Sequence, residues 1–124
     1  YIIAQFAGAA LALILVRLHG TALPAIDYSF SWVSIIAECI GALVFTFGIT
    51  SIVLAGDSVK ADSRAPFVIG GSLTLGATIA VGLGSNAILN PAVAFGIGSL
   101  GLAYVIGPVV GAVAGMWLYK VLKA

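Results

Sequence analysis

Few residues of this 124-residue chain combine a type and a placement that could do chemistry. Asn90-Pro91-Ala92 is the most specific group. Asparagine is a good helix N-cap and proline is preferred at the first helical position, so the triplet marks a helix start after a loop containing Gly82 and Gly84. In that setting the Asn90 side chain holds the helix end and gives an amide N–H to a passing water or hydroxyl. The backbone carbonyls of Asn86, Ala87, Ile88 and Leu89, in the incoming loop, offer acceptors along one wall. Glu38 is the one charged residue inside a long apolar interval, and an ionised group there needs partners. A proton relay or ion site is one reading for it, and a residue that snorkels or stays neutral near an interface is another; no second acid or histidine lies in an apolar interval. His19 and Cys39 have no companions at ligand or triad spacing, and a lone cysteine excludes an internal disulfide or a cysteine metal cluster. The reading is of a protein that is not an enzyme, with no catalytic residue, no metal and no cofactor.

The elements that must position Asn90 and Glu38 follow from composition. Apolar residues make up 62% of the chain and charged residues 7%, with a mean hydropathy of +1.25. A water-soluble chain of this size has about a quarter of its residues charged, and five basic plus four acidic residues fall far short. The chain therefore belongs in a lipid bilayer. Its net charge of +1 gives no basic field, which excludes nucleic-acid binding as a main role. Roughly 20 apolar residues span a bilayer core, and the charged residues leave intervals of that length at 31–55, 65–84 and 102–122. Residues 1–16 are at the short limit and read as a crossing helix whose start has been cut, followed by a loop over 17–30. A signal peptide would instead want a basic leader and a small-residue cleavage site.

Residues 85–101, which carry Asn90-Pro91-Ala92, are too few for another crossing and are expected to enter the bilayer and turn back. A helix from Asn90 to about Leu100 has roughly 11 residues, about half the hydrocarbon thickness at about 1.5 Å each. Such a half-helix aims unpaired N–H groups and its positive dipole end at the midplane, where cations and protons are repelled. A returning segment also places Lys60, Arg64, Lys120 and Lys123 on one face, four of the five basic residues. The positive-inside rule makes the Lys60/Arg64 loop and the C-terminus cytoplasmic and leaves Arg17, His19 and Asp27 outside.

Laying Tyr1–Ala9 over Tyr104–Ala112 keeps aromatic, glycine and alanine positions in register, a weak internal repeat. Repeats with broken helices are a recurrent plan for membrane transport proteins. Small residues recur at four-residue spacing in Gly107/Gly111/Gly115, Gly76/Ala80/Gly84 and Ala4/Gly8/Ala12, and these stripes read as helix-packing faces. Trp32, Tyr104, Trp117 and Tyr119 sit near segment ends, as interfacial anchors do.

Taken in order, these stretches resemble the aquaporin and aquaglyceroporin channels over nearly the whole chain. Asn90-Pro91-Ala92 on a re-entrant half-helix is similar to the family signature, and Ala65–Gly70 resembles the start of the fifth helix. Tyr104–Tyr119, with Gly107-Pro108 and Gly111-Ala112, resembles the sixth helix, Glu38 with Ile40-Gly41-Ala42 the opening of the fourth, and Tyr1–Ala10 with Ala4-Gln5 the third. The resemblance implies an all-α membrane protein, an aquaporin-like bundle in which residues 31–124 form the second repeat and residues 1–16 the last helix of the first. That is about four transmembrane helices and one half-helix of a six-helix fold with two half-helices, so the rest of the first repeat is a missing partner. It further implies that Glu38 accepts hydrogen bonds that brace the pore loop, that the protein is a homotetramer with one pore per subunit, and that the pore passes water or small neutral solutes.

Where most members carry an arginine directly after the second Asn-Pro-Ala, this chain has Val93. The histidine position of the strict water channels falls on Ala77 or Thr78, and the loop position three before Asn90 is Ala87. A constriction of Val93, Ala77 and Ala87 is wide and weakly polar, which favours solutes such as glycerol. Two other functions compete with passive conduction: a half-channel that is only an assembly or structural subunit, and an ion-coupled transporter with broken helices in which Glu38 binds the ion.

Overall fold

A computed structural model describes residues 1–23, 26, 29–54 and 63–124. Among the described residues five helices follow one another: α1 (Ile2–Leu18), α2 (Trp32–Val53), α3 (Ala65–Gly82), α4 (Pro91–Gly96) and α5 (Leu102–Lys123). No strand occurs among the described residues. Helices α2, α3 and α5 are each long and apolar enough to cross a membrane, which makes this an all-helical, multi-pass membrane protein. Helix α1 is apolar but has only 17 residues.

Local chemistry sets where these helices begin and end. Ser31 is extended (φ −143°) and its hydroxyl accepts from the Ser34 N–H at 3.2 Å, an N-cap that starts α2. Pro66 sits in the first turn of α3, where a missing N–H costs nothing. At its other end Gly84 takes φ +94°, letting the Ser85 N–H reach the Ala80 carbonyl and the Gly84 N–H the Val81 carbonyl, each at 2.9 Å. Helix α4 is closed the same way. Gly98 has φ +71°, Ser99 N–H donates to Ala94 at 2.8 Å and Gly98 N–H to Phe95 at 3.0 Å. This cap explains the difference from the helix expected to reach Leu100: α4 has six residues, and its dipole is correspondingly small.

Glycines fix how the long helices meet. A Cβ on Gly107 would lie 2.6 Å from the Ile35 carbonyl, and one on Gly111 or Gly115 would collide with the carbonyls of Cys39 or Leu43. The contacts advance together along both helices, and the Lys123 ammonium donates to the Leu54 carbonyl at 2.6 Å, so α2 and α5 run parallel. Between α2 and α3 the order reverses. Gly41 meets Gly76 and Ala80 whereas Gly48 meets Ser72, so these helices are antiparallel. It follows that α3 ends, and α5 begins, at the end of the bundle where α2 begins. The chain from Leu83 to Gly101 therefore leaves and returns at one end.

Several expectations need correction at the level of residues. Helix α1 continues to Leu18 instead of stopping at 16, α3 stops at Gly82 short of 84, and α5 reaches Lys123. Helix α2 is described as far as Val53, and Ala55 lies outside the described residues, as do Asp27, Asp57, Lys60 and Asp62. Tyr104 is no interfacial anchor, being 1% exposed beneath Ile88, Ala94 and Ile97, whereas Trp32 and Trp117 are exposed. The Ala4/Gly8/Ala12 stripe is exposed: a Cβ on Gly8 would have no neighbour within 4 Å, and α1 touches α4 through Ala9 against Gly96 instead.

Candidate functional site

The loop before α4 is held from α2. Glu38 is wholly buried on α2, and its carboxylate accepts from the Ser85 hydroxyl, from the Ile88 N–H at 2.9 Å and from the Leu89 N–H at 2.5 Å. Ser85 is in reach because it is the residue that completes the α3 cap. Ala87 and Leu89 both take left-handed backbone, φ +52° and +53°. That conformation costs a non-glycine residue about 1 kcal/mol or more. It also turns successive N–H groups toward one point, the arrangement that makes a short stretch of backbone an anion cradle. Hydrogen bonds to a charged acceptor contribute about 1.5–3 kcal/mol each, enough to offset the strain.

A trans peptide points its carbonyl opposite to its N–H, and no peptide bond among the described residues is cis. With the Ile88 and Leu89 N–H groups turned to Glu38, the carbonyls of Ala87 and Ile88 face away from α2. No donor among the described residues bonds the carbonyls of Asn86, Ala87, Ile88 or Leu89. At the start of this stretch the Asn86 amide donates to the Tyr104 hydroxyl at 2.7 Å, tying the loop to the first turn of α5.

Asn90 ends the loop halfway along the bundle. The Leu89 side chain abuts Gly41, and Asn90 and Pro91 line a cleft of about 260 Å³ with Gln5, Phe45, Thr46, Ile49, Pro108 and Ala112. Gly41 lies about 14 Å along a helix of about 33 Å at about 1.5 Å per residue, so the start of α4 is near mid-depth. Asn90 is extended (φ −156°), and its Oδ1 accepts from the Ala92 N–H at 2.9 Å. Its Nδ2 donates to Gln5 Oε1 on α1 at 3.1 Å. Beyond this point α4 lies along α1, with Phe95 tilted against Phe6 at 5.7 Å between ring centroids.

The three residues expected at a constriction come from three different elements. Val93 is on α4 and 46% exposed, Ala87 is half-buried in the loop, and Ala77 lines an open groove on α3 with Leu73, Thr74, Thr78 and Val81, a groove that includes neither of the others. Four residues that sequence reasoning did not assign to the site take part in it: Ser85, Tyr104, Gln5 and Thr46. For Gln5 a signal exists, since it is the one amide side chain in an apolar run of 16 residues. Ser85 gives none, because its role depends on the cap that precedes it.

Comparison with family models, with curated proteins and with solved structures finds no match to this chain.

Proposed function

We propose that this chain forms one wall of a passive, non-enzymatic passage for water and small neutral solutes. A single observation carries the reading: loop carbonyls with no donor among the described residues stand near mid-depth in a bundle of helices long and apolar enough to span a membrane. Irregular backbone at such depth is tolerated only where it lines a water-filled cavity or is buried in protein. The Ala87 and Ile88 carbonyls then accept hydrogen bonds from the solute, and the Asn90 amide donates to its oxygen. A water fixed by its oxygen at that donor does not relay protons along a file. With α4 this short, the Asn90 amide and the loop geometry do more of the exclusion of protons and ions than the helix dipole.

The resemblance to aquaporins and aquaglyceroporins supports the same reading and extends it. It supplies the re-entrant half-helix at 85–101, a second Asn-Pro-Ala half as the facing wall, a homotetramer, and a cytoplasmic Lys60/Arg64 loop and C-terminus. Val93, Ala77 and Ala87 are then small or apolar at the constriction, so glycerol passes as well as water. Ion coupling through Glu38 has less support, because its oxygens are occupied by three protein donors.

Stopped-flow swelling of proteoliposomes containing the full-length protein tests this. Both water and glycerol permeability are expected to exceed those of empty liposomes without any ion gradient. Water flux with glycerol rejected refutes the solute reading, and flux that requires an ion gradient refutes the channel.

A further inference from the structure

The hydrogen bond between α1 and Asn90 bears on the solute path as well. Asn90 Oδ1 is committed to the Ala92 N–H, which fixes the plane of the amide and sends Nδ2 across the cleft to Gln5 Oε1. An amide nitrogen carries two hydrogens, so Gln5 takes one and leaves one. Gln5 Nε2 in turn keeps both of its hydrogens, with no acceptor among the described residues, on the wall of the same cleft. The other polar side chain there, Thr46, directs its hydroxyl to the carbonyls of Ala42, Leu43 and Ala112 and so offers the cleft no donor.

From this geometry we infer that Gln5 is a positioning and specificity-determining residue for the solute path. Its Oε1 sets the direction of the one free Asn90 N–H, and its Nε2 stands beside that hydrogen as a second donor. A solute with two neighbouring hydroxyl oxygens meets both donors at once, whereas a water meets either. Gln5 therefore favours polyols over water at this level of the bundle. The inference rests on the proposed channel function.

The test compares wild type, Gln5→Met and Gln5→Glu in the full-length protein, by glycerol and water permeability in proteoliposomes and by the Asn90 side-chain amide resonance in ¹⁵N-labelled protein. Methionine keeps the length of the side chain but neither accepts from Asn90 as well nor donates. It should lower the glycerol-to-water ratio about three- to tenfold, the range for one neutral hydrogen bond, and move the Asn90 resonance. Glutamate keeps the acceptor and loses the donors, so the ratio should fall with the Asn90 resonance in place. An unchanged ratio in either variant, or an Asn90 resonance unmoved by Gln5→Met, overturns the inference while leaving the channel intact. Should Gln5→Met not fold, Gln5→Glu decides alone by the same ratio and resonance. Wild-type protein that conducts neither solute sinks the channel and this inference together.

Discussion

Helices α1 and α5 begin with segments that share aromatic, glycine and alanine positions, Tyr1–Ala9 and Tyr104–Ala112, and their surroundings could hardly differ more. Tyr1 is fully exposed and Tyr104 is 1% exposed. Gly8 has open space where a side chain would go, whereas its counterpart Gly111 lies directly against the Cys39 carbonyl. A stripe of small residues permits close approach but does not cause it. What draws α5 in is a partner surface on α2 with backbone carbonyls at matching four-residue intervals, reinforced by Lys123 at the Leu54 carbonyl. Association between apolar helices in lipid depends on such contacts, since lipid tails and side chains are equally apolar.

The largest expected effect follows from that contrast. Gly111→Val places a branched side chain where even a Cβ has no room, so α5 must move away from α2. We expect more than about 3 kcal/mol of destabilisation, by analogy with severe overpacking, read as loss of the folded fraction during thermal unfolding in detergent. Gly8→Val should change stability by less than about 1 kcal/mol, the scale of helix propensity alone. Equal losses for the two variants would break the comparison and show that the α1 stripe is also a packed face in the intact protein.

The next effect is at Glu38, where α2 grips the loop instead of a helix. Glu38→Gln leaves one oxygen to accept from Ser85 and Ile88 but turns an amide N–H₂ toward the Leu89 N–H, two donors face to face. Losing one partner of a buried charged network costs about 3–5 kcal/mol when nothing replaces it; the retained acceptor should limit this to about 2–3 kcal/mol. Limited proteolysis should then cut between Ser85 and Asn90 before it cuts α2 or α5. Unchanged protease resistance would mean that the loop holds its left-handed residues without the carboxylate.

How far all this was legible depends on the range of the interaction. Asn90 as a cap and Pro91 as a first helical residue are local chemistry, and so are the long apolar runs of α2, α3 and α5. The end of α4 was legible in principle as well, because Gly98 is a natural C′ residue, yet the apolar run through Leu100 hid it. Burial of Tyr104 was not legible, since an aromatic near a helix end is equally consistent with lipid headgroups and with a cavity filled by Ile88 and Ala94. Gln5 meeting Asn90, 85 residues away, depends on α1 lying along α4, which no local pattern specifies. The same holds for the relative places of Val93, Ala77 and Ala87, which depend on how the loop is folded against α2.

The smallest expected effect separates packing from hydrogen bonding within the α2–α5 contact itself. Thr46 stands 3.1 Å from the Ala112 carbonyl across the interface, and 2.8 Å and 3.3 Å from the Ala42 and Leu43 carbonyls of its own helix. One hydroxyl has one hydrogen, so these three acceptors share it, and the bond within the helix has the shortest distance. Interhelical hydrogen bonds in membrane proteins average about 0.6 kcal/mol, and a shared one should contribute less. Thr46→Val, which keeps the branched shape that fits beside Gly115, is expected to cost no more than about 0.5 kcal/mol, an order below Gly111→Val. If thermal unfolding shows a loss above about 2 kcal/mol, the hydroxyl rather than the glycine groove holds α5 to α2, and the contrast with α1 would rest on a hydrogen bond from α2 to Ala112 rather than on a surface of matching carbonyls.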